Sequence, residues 1–584
     1  PGSLDNFSRR TLTAVIVGGL DPGGGLSKAK LIPTCLSCIP VVRAVPHCRL
    51  KQDGLDDNVA ARHGMRVCRS GNTRSVEDTQ FWLEEGQTEL RHALLRRYNN
   101  GVAKNVILFV GDGMGPSTVT AARIYKGQLA GHSGEETQLN FEKFAHVALS
   151  KTYNVDRQTA DSAGTATAMH GGVKGNFGTI GVDARVLRGN CSLLGDDSVK
   201  VKTMKDWFEA EGKSVGLVTT SRVTHASPGA LYAKSADRNW ESDVDLVGKD
   251  ANCNEDIAYQ LVYNSSGIQV VMGGGRRSFL NKTTPDPQKG NVHSKHRLDG
   301  RDLTREWVRI QEGLGKRAKY VWNKEQFDQL SAENTDSVLG LFSQSHMAYD
   351  LERSLADEPS LAEMTRKAIE ILRKNDKGFY LFVEGARIDH GHHDNYAKKA
   401  LHDTVAFDDA VGVAQEMTGD DTLIVITADH SHVFNIAGYP KRGNNILGLV
   451  DPVDPGQETM DGMPYATLVY TNGPGPGRVN LTGVDTTADD HQQSRLVEFQ
   501  PEWETHGGED VAIYAHGPMA HLFYGVHEQS YIAHAMAYAA CVGPNVKHCE
   551  QPGSDDPCGT SRAAWMGSSV RSVVLLTLVG LLWK

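Results

Sequence analysis

The stretch FVEGARIDHGHHDNY, residues 382–396, sets two acids, three histidines and an arginine between Glu384 and His393, directly behind the apolar run 379–383. Ionisable groups crowded against a buried strand end must be solvated, paired or bound to metal, because an isolated buried charge is costly. Asp389 and His393 stand four residues apart, so one helical turn brings both to the same face, toward one ion. Two other apolar runs end in the same way. NVILFVGDGMG reaches Asp112, and DTLIVITADHSH reaches Asp429, His430 and His432. Asp429 and His430 are adjacent and would face opposite ways in a regular strand, so they can share an ion only where the strand ends and the chain turns. Imidazole mixed with carboxylate favours zinc, whereas an all-oxygen set favours magnesium. A salt-bridged loop would account for one such pair; three strand ends of this kind point to metal.

A second group of residues could supply a nucleophile and an anion clamp. In QTADSAGTATAMHGGVKGN, Ser162 follows Asp161 and opens a run of Ala, Gly and Thr. Small helix-compatible residues permit close approach, and a helix N-terminus favours a bound anion. Asp161 or Ser162 could equally be an ordinary N-cap. RVTHASPGALYAKSADRNW adds Ser227 and Arg238. An arginine can hold two phosphoryl oxygens at once, although a lone arginine is more often a surface residue.

Positioning these side chains requires a frame. Apolar runs recur as KSVGLVTT, GIQVVMGGG, GFYLFVEG and DTLIVITADHSH, with helical patterns between them at 360–374 and 398–416. Buried strands alternating with helices predict an α/β fold, a large mainly parallel central sheet flanked by helices on both faces. In such sheets ligands bind outside the carboxyl ends of the strands, where the acids and histidines stand. DTQFWLEEGQTELRHALLRRY reads as an amphipathic helix opening this region. Residues 438–503 turn rich in Gly and Pro around one short strand, YATLVYT, and read as an inserted subdomain. The α/β pattern resumes with EDVAIYAHG and QSYIAHAMAYAAC.

The 584 residues carry a net charge of −10, which offers no basic face for nucleic acid. The nine cysteines lack paired CxxC spacing, so disulfides in a secreted chain fit them better than a structural zinc site. Asn190, Asn264, Asn281 and Asn480 each begin a glycosylation triplet. Residues 1–75 show no sustained periodicity and are expected to stand apart from the mature fold. At the other end, the apolar run 573–583 has about half the length a membrane-spanning helix needs. It follows a polar spacer and the small residues Gly559, Thr560 and Ser561, the pattern of a GPI-attachment signal within 551–584. A buried C-terminal helix is the other reading of that run.

From about residue 76 to 550 the chain resembles the animal alkaline phosphatases. GDGMG, DSAGTATA, THASP, DRNW, EGARIDHGHH, TADHSHVF and ETHGGEDV follow one another in that family's order. The resemblance implies hydrolysis of phosphate monoesters with two zinc ions and one magnesium ion per chain. Ser162 would be the nucleophile, flanked by Asp161, and Arg238 the phosphate clamp. Asp389, His393 and His506 would hold the first zinc. Asp429 and His430 would hold the second, with Asp112 reaching both it and the magnesium, whose ligands Ser227 and Glu384 complete. His432 would stand behind the zinc ligands, and His225 and His390 near magnesium and phosphate.

The resemblance also implies disulfides Cys191–Cys253 and Cys541–Cys549, a GPI-anchored extracellular homodimer, and a crown formed by 438–503 in which Tyr439 reaches the partner's active site. Vertebrate members carry a calcium held by two glutamates, an aspartate and a phenylalanine carbonyl. Here the glutamate positions fall at Gln288 and Ser343 and the aspartate near Asp357 or Glu358, so calcium is not expected. A sulfatase or phosphodiesterase of the wider superfamily would share the sheet and metals but leave Ser162 within DSAGTATA without a reason. A catalytically silent surface binding protein would keep the fold and lose metal ligands, yet every expected one is present.

Overall fold

The computed structural model describes residues 77–451, 459–498, 503–544 and 546–549. The expectations for the first 75 residues, the C-terminal anchor signal and Cys558 lie outside them. Fourteen strands are present among the described residues: β1 (Asn105–Gly111), β2 (His146–Lys151), β3 (Ser214–Arg222), β4 (Val270–Gly274), β5 (Ala318–Val321), β6 (Ser337–Leu341), β7 (Phe379–Gly385), β8 (Thr422–Ala428), β9 (Ser431–His432), β10 (Phe434–Ile436), β11 (Leu468–Tyr470), β12 (His506–Gly507), β13 (Val511–His516) and β14 (Gly525–Glu528). Ten of them form one sheet in the order β14-β2-β13-β8-β1-β7-β3-β4-β6-β5. Only β13 runs against its neighbours, β2 and β8. The rest pair in parallel, as the alternation of strand and helix patterns predicts.

Every residue of β1, β7 and β8 is buried, which is why these segments read as unbroken apolar runs rather than alternating ones. The pleat sends Val106, Leu108 and Val110 into one core and Ile107 and Phe109 into the other. On the first side, helices Ser162–Gly171, Ala226–Tyr232 and Tyr531–Ala540 contribute Ala163, Ala230 and Met536. On the second, helices Leu361–Leu372 and Ala397–Met417 contribute Ile369 and Phe407. Ser360 caps the former through Glu363 N at 3.1 Å, and the Glu363 carboxylate returns to Ser360 N at 2.8 Å, a reciprocal pair that fixes where the helix starts.

Register brings the chemistry to one edge. Val110 lies opposite Glu384 and Thr427, and Glu384 lies opposite Thr219, so Asp112, Glu384 and Asp429 leave the sheet side by side. In the inserted region, β11 pairs antiparallel with β10, and Tyr439 is 74% exposed. Cys191–Cys253 and Cys541–Cys549 are both bonded, with Cα separations of 5.4 and 6.1 Å. Asn190, Asn264 and Asn480 are exposed. Asn281 is half-buried, its amide nitrogen donating to the Gly300 carbonyl at 3.2 Å.

Candidate active site

The helix Arg387–His393 begins two residues past β7, so Asp389 and His393 do share a face, 3.4 Å apart between Asp389 Oδ1 and His393 Nε2. The short β12–β9 ladder sets His506 opposite His432 and carries His506 Nε2 to 3.4 Å from the same carboxylate oxygen. His393 Nε2 and His506 Nε2 are 3.2 Å apart. Their other nitrogens are engaged by main chain: His506 Nδ1 donates to the Ala160 carbonyl at 2.7 Å, and His393 Nδ1 to the Glu504 carbonyl. That fixes the tautomer with both Nε2 lone pairs turned inward, the orientation metal-binding imidazoles adopt. Burial drives the His393 imidazole down to about 3, so it is neutral at physiological pH and its Nε2 could serve a metal ion.

His432 stands differently. Its Nε2 lies 2.7 Å from Asp389 Oδ1 and its Nδ1 meets the Glu504 carboxylate, so it is held between two acids. Burial opposes its charge, but Glu504 and Asp389 prevail and raise it to about 10. It donates in both directions and braces Asp389. Gly113 permits this packing: its φ is +69°, and a Cβ there would stand 2.4 Å from His432 Nε2.

The second cluster joins Asp112, Asp429 and His430, all fully buried. His430 Nε2 is 3.1 Å from Asp429 Oδ2, 3.6 Å from Asp112 Oδ1 and 3.3 Å from Ser162 Oγ. Asp429 Oδ1 accepts from the Gly113 and His430 amides, each at 2.9 Å. Burial pushes Asp429 up, yet the charge and hydrogen bond of His430 bring it down to about 2. Asp112 goes the other way, well above the usual carboxylate range, from burial and then the charges of Asp429, Asp389 and Glu384. Neither of its oxygens has a hydrogen-bond partner.

Glu384, also fully buried, accepts at Oε2 from Thr219 and Ser221 while Oε1 has no partner. Ser227 is equally buried on the neighbouring helix. Orphaned, mutually repelling carboxylate oxygens beside inward-turned imidazoles fit a set of divalent cations: carboxylate with imidazole in two clusters, oxygen alone around Glu384.

Ser162 opens its helix, with Asp161 as N-cap. The Asp161 carboxylate accepts from the Gly164 amide at 3.3 Å and the Gly178 amide at 3.0 Å, and its other oxygen receives Arg238 Nη1 at 3.0 Å. Nucleophile candidate and guanidinium therefore share one anchor. Both line a cavity of about 550 Å³ together with Asp389, His393, His506, His225 and His390. Asp112, Ser227, Glu384, Asp429, His430 and His432 do not line the cavity; of these, His430 reaches Ser162 and His432 reaches Asp389 on its wall.

Several neighbours were invisible in the sequence. His346 packs against His390 and His225, with ring centroids at 4.2 and 5.2 Å. Glu504, Thr219 and Ser221 brace the acids and histidines, and Phe177, Arg188 and the half-exposed Trp503 line the mouth of the cavity. Glu504 heads the ETHGGEDV stretch two residues before His506, where no periodicity gives it a role of its own.

Comparison with known proteins bears on this geometry. A sequence model of the family described as alkaline phosphatase matches residues 103–542. The chain is 50% identical over 485 residues to the tissue-nonspecific alkaline phosphatase isozyme of Gallus gallus, covering 81% of this chain and 91% of that one. It is 48% identical over 484 residues to the Homo sapiens isozyme, at 81% and 90% coverage. It is 43% identical over 497 residues to the membrane-bound alkaline phosphatase of Bombyx mori, at 82% and 89%. Among solved structures, Thermus thermophilus alkaline phosphatase shares the fold with a TM-score of 0.55 and 22% identity, covering 76% of this chain and 92% of that one. Half its residues shared along four-fifths of its length, on a sheet whose carboxyl edge gathers acids, imidazoles and a serine, place the chain in the alkaline phosphatase family, as an enzyme that hydrolyses phosphate monoesters.

Proposed function

We propose that catalysis proceeds through a phosphoserine at Ser162, with two zinc ions and one magnesium ion per chain. The observation that carries this is the setting of Ser162: buried at a helix N-terminus, 3.3 Å from His430 Nε2, in one cavity with Arg238 and the two imidazole–carboxylate clusters. Asp389, His393 and His506 would hold the first zinc, Asp429 and His430 the second, and Asp112, Ser227 and Glu384 the magnesium, with Asp112 shared. Bound there, the ions supply Lewis-acid stabilisation of the attacking and leaving oxygens. The chain's own part is positional. Asp161 holds Arg238 so that its guanidinium can bind two phosphoryl oxygens, and the same carboxylate ends the helix that aims Ser162. Turnover of p-nitrophenyl phosphate that is abolished by a chelator and restored by zinc with magnesium tests this reading. Turnover indifferent to the chelator would reject it.

Calcium is not part of the proposal. The Gln288 amide oxygen accepts from Arg276 Nη2 at 2.8 Å, Asp286 is clamped by the same guanidinium, and the Glu358 carboxylate accepts from the Ala348 amide at 2.9 Å. Elemental analysis of dialysed protein is expected to give zinc and magnesium near two and one per chain, with calcium substoichiometric. One tightly held calcium per chain would overturn that expectation.

We also propose a glycosylated homodimer held at the outer face of the plasma membrane by a lipid anchor, with 438–503 as its crown. Among the described residues no helix is long and apolar enough to cross a membrane. Phosphatidylinositol-specific phospholipase C is expected to release activity from expressing cells as a species of twice the chain mass. Retention on the membrane would refute the anchor, and a monomeric released species the dimer.

A further inference from the structure

A second cavity, of about 240 Å³, lies beside the catalytic one; Asn239, next to Arg238, lines both. Arg222, Arg277 and Lys295 contribute cations to its wall, and Glu241 and Asp245 contribute acids. Both acids are already engaged. Glu241 binds Arg222 Nε and Nη2 at 2.7 Å each and accepts from the Thr224 hydroxyl at 2.6 Å, while Asp245 meets Lys295 and accepts from the Ser242 amide at 3.1 Å. Arg277 is left over. Its Nη1 donates to Ser345 Oγ at 3.2 Å, its Nε is buried without a partner, and it makes no ion pair among the described residues. Burial and then the charge of Arg222 lower the affinity of Arg277 for its proton, and the charges of Glu241 and Asp245, both already committed to other cations, only partly oppose them. A half-buried guanidinium whose Nε is shut off from water without a partner is a costly arrangement that an anion would relieve. Arg222 ends β3 and Arg277 follows β4, so this cavity opens at the same carboxyl edge of the sheet as the catalytic residues.

We infer that this cavity is a second anion subsite, which takes the distal phosphoryl group of a substrate carrying two phosphates while the reacting one sits between Ser162 and Arg238. The inference rests on the phosphatase reading and adds a preference for bisphosphorylated substrates. Its test uses the holoenzyme with alkanediol bisphosphates of increasing chain length and the monophosphates of the same diols, compared by kcat/KM. Wild type is expected to favour the bisphosphate at one best length by about tenfold, well above the roughly twofold advantage of two equivalent ends. Arg277→Met should bring the ratio down to that statistical advantage and Arg277→Lys keep part of the preference, with turnover of the monophosphates unchanged in both. Should Arg277→Met fail to fold, Lys295→Met carries the same comparison with a smaller expected loss. A ratio at the statistical level for every length, or one that persists in Arg277→Met, would overturn the subsite. Failure to turn over any monophosphate would instead reject the phosphatase reading itself.

Discussion

Ser162→Ala lowers phosphatase turnover by at least about ten thousandfold, with the fold and the metal content retained. This is the expected result, because deleting a catalytic nucleophile removes the covalent route and leaves only what binding and electrostatics supply. The substitution is small. Ser162 sits at the first position of its helix, where Asp161 and not the serine satisfies the helix-end amides, so alanine costs no cap. The hydroxyl's nearest polar neighbour is His430 Nε2 at 3.3 Å, and that imidazole keeps Asp429 and the Ser431 carbonyl as partners without it. A melting temperature within a few degrees of wild type and unchanged zinc and magnesium would separate lost chemistry from lost structure. Acid quenching of wild type during turnover of a labelled phosphate ester should leave label on Ser162 and none on the variant. Label on another residue, or a variant that turns over within tenfold of wild type, excludes Ser162 as the nucleophile.

The local grammar of the site was readable because each catalytic segment is a strand end or a helix start, and both leave marks in sequence. The apolar run before Asp112 and the four-residue step from Asp389 to His393 follow from strand burial and helical period, and the structure keeps them. Non-local pairings leave no such mark. His506 meets His393 across 113 positions, through a two-residue ladder too short to show periodicity, and only resemblance to a family drew attention to it. His346 comes from the loop after β6 and reaches His390 and His225 by tertiary packing alone. The reversal of β13 was equally hidden: VAIYAH alternates buried with more exposed residues, which sets it apart from the fully buried β1, but such alternation does not give a strand's direction. Arg277 was passed over for another reason. A basic residue in a turn looks like a solvated one until its buried, unpartnered Nε is seen.

Metal removal should expose how much of this fold depends on cations to hold its acids. Asp112, Asp429, Glu384 and Asp389 crowd one edge of the sheet, and each of the other three raises Asp112 further above its ordinary range after burial has done so. Glu384, raised to about 7 from an ordinary 4.5 chiefly by burial, sets the pH window. In the metal-free protein its protonated form is the favoured one. The stability gained from that preference is present at low pH and declines as the pH rises from 4.5 through 7, where the fold must keep an unpaired carboxylate; the loss is on the order of 3 kcal/mol. With cations bound the sign reverses: the ligands must be ionised, so protons compete with metal and the stabilisation is lost as pH falls below 7. Both effects widen the gap in melting temperature between loaded and metal-free protein as the pH rises from about 6 to about 8, by a few degrees. The neutral histidines, held low by burial in either state, cancel from that difference. Scanning calorimetry of the two forms at both pH values reads it directly. Glu384→Gln should weaken the dependence and leave the part that the raised Asp112 carries, since an amide neither takes up nor releases the proton. A gap that narrows with rising pH, or one that widens undiminished in Glu384→Gln, would show that Glu384 is not the carboxylate whose charge the cations neutralise.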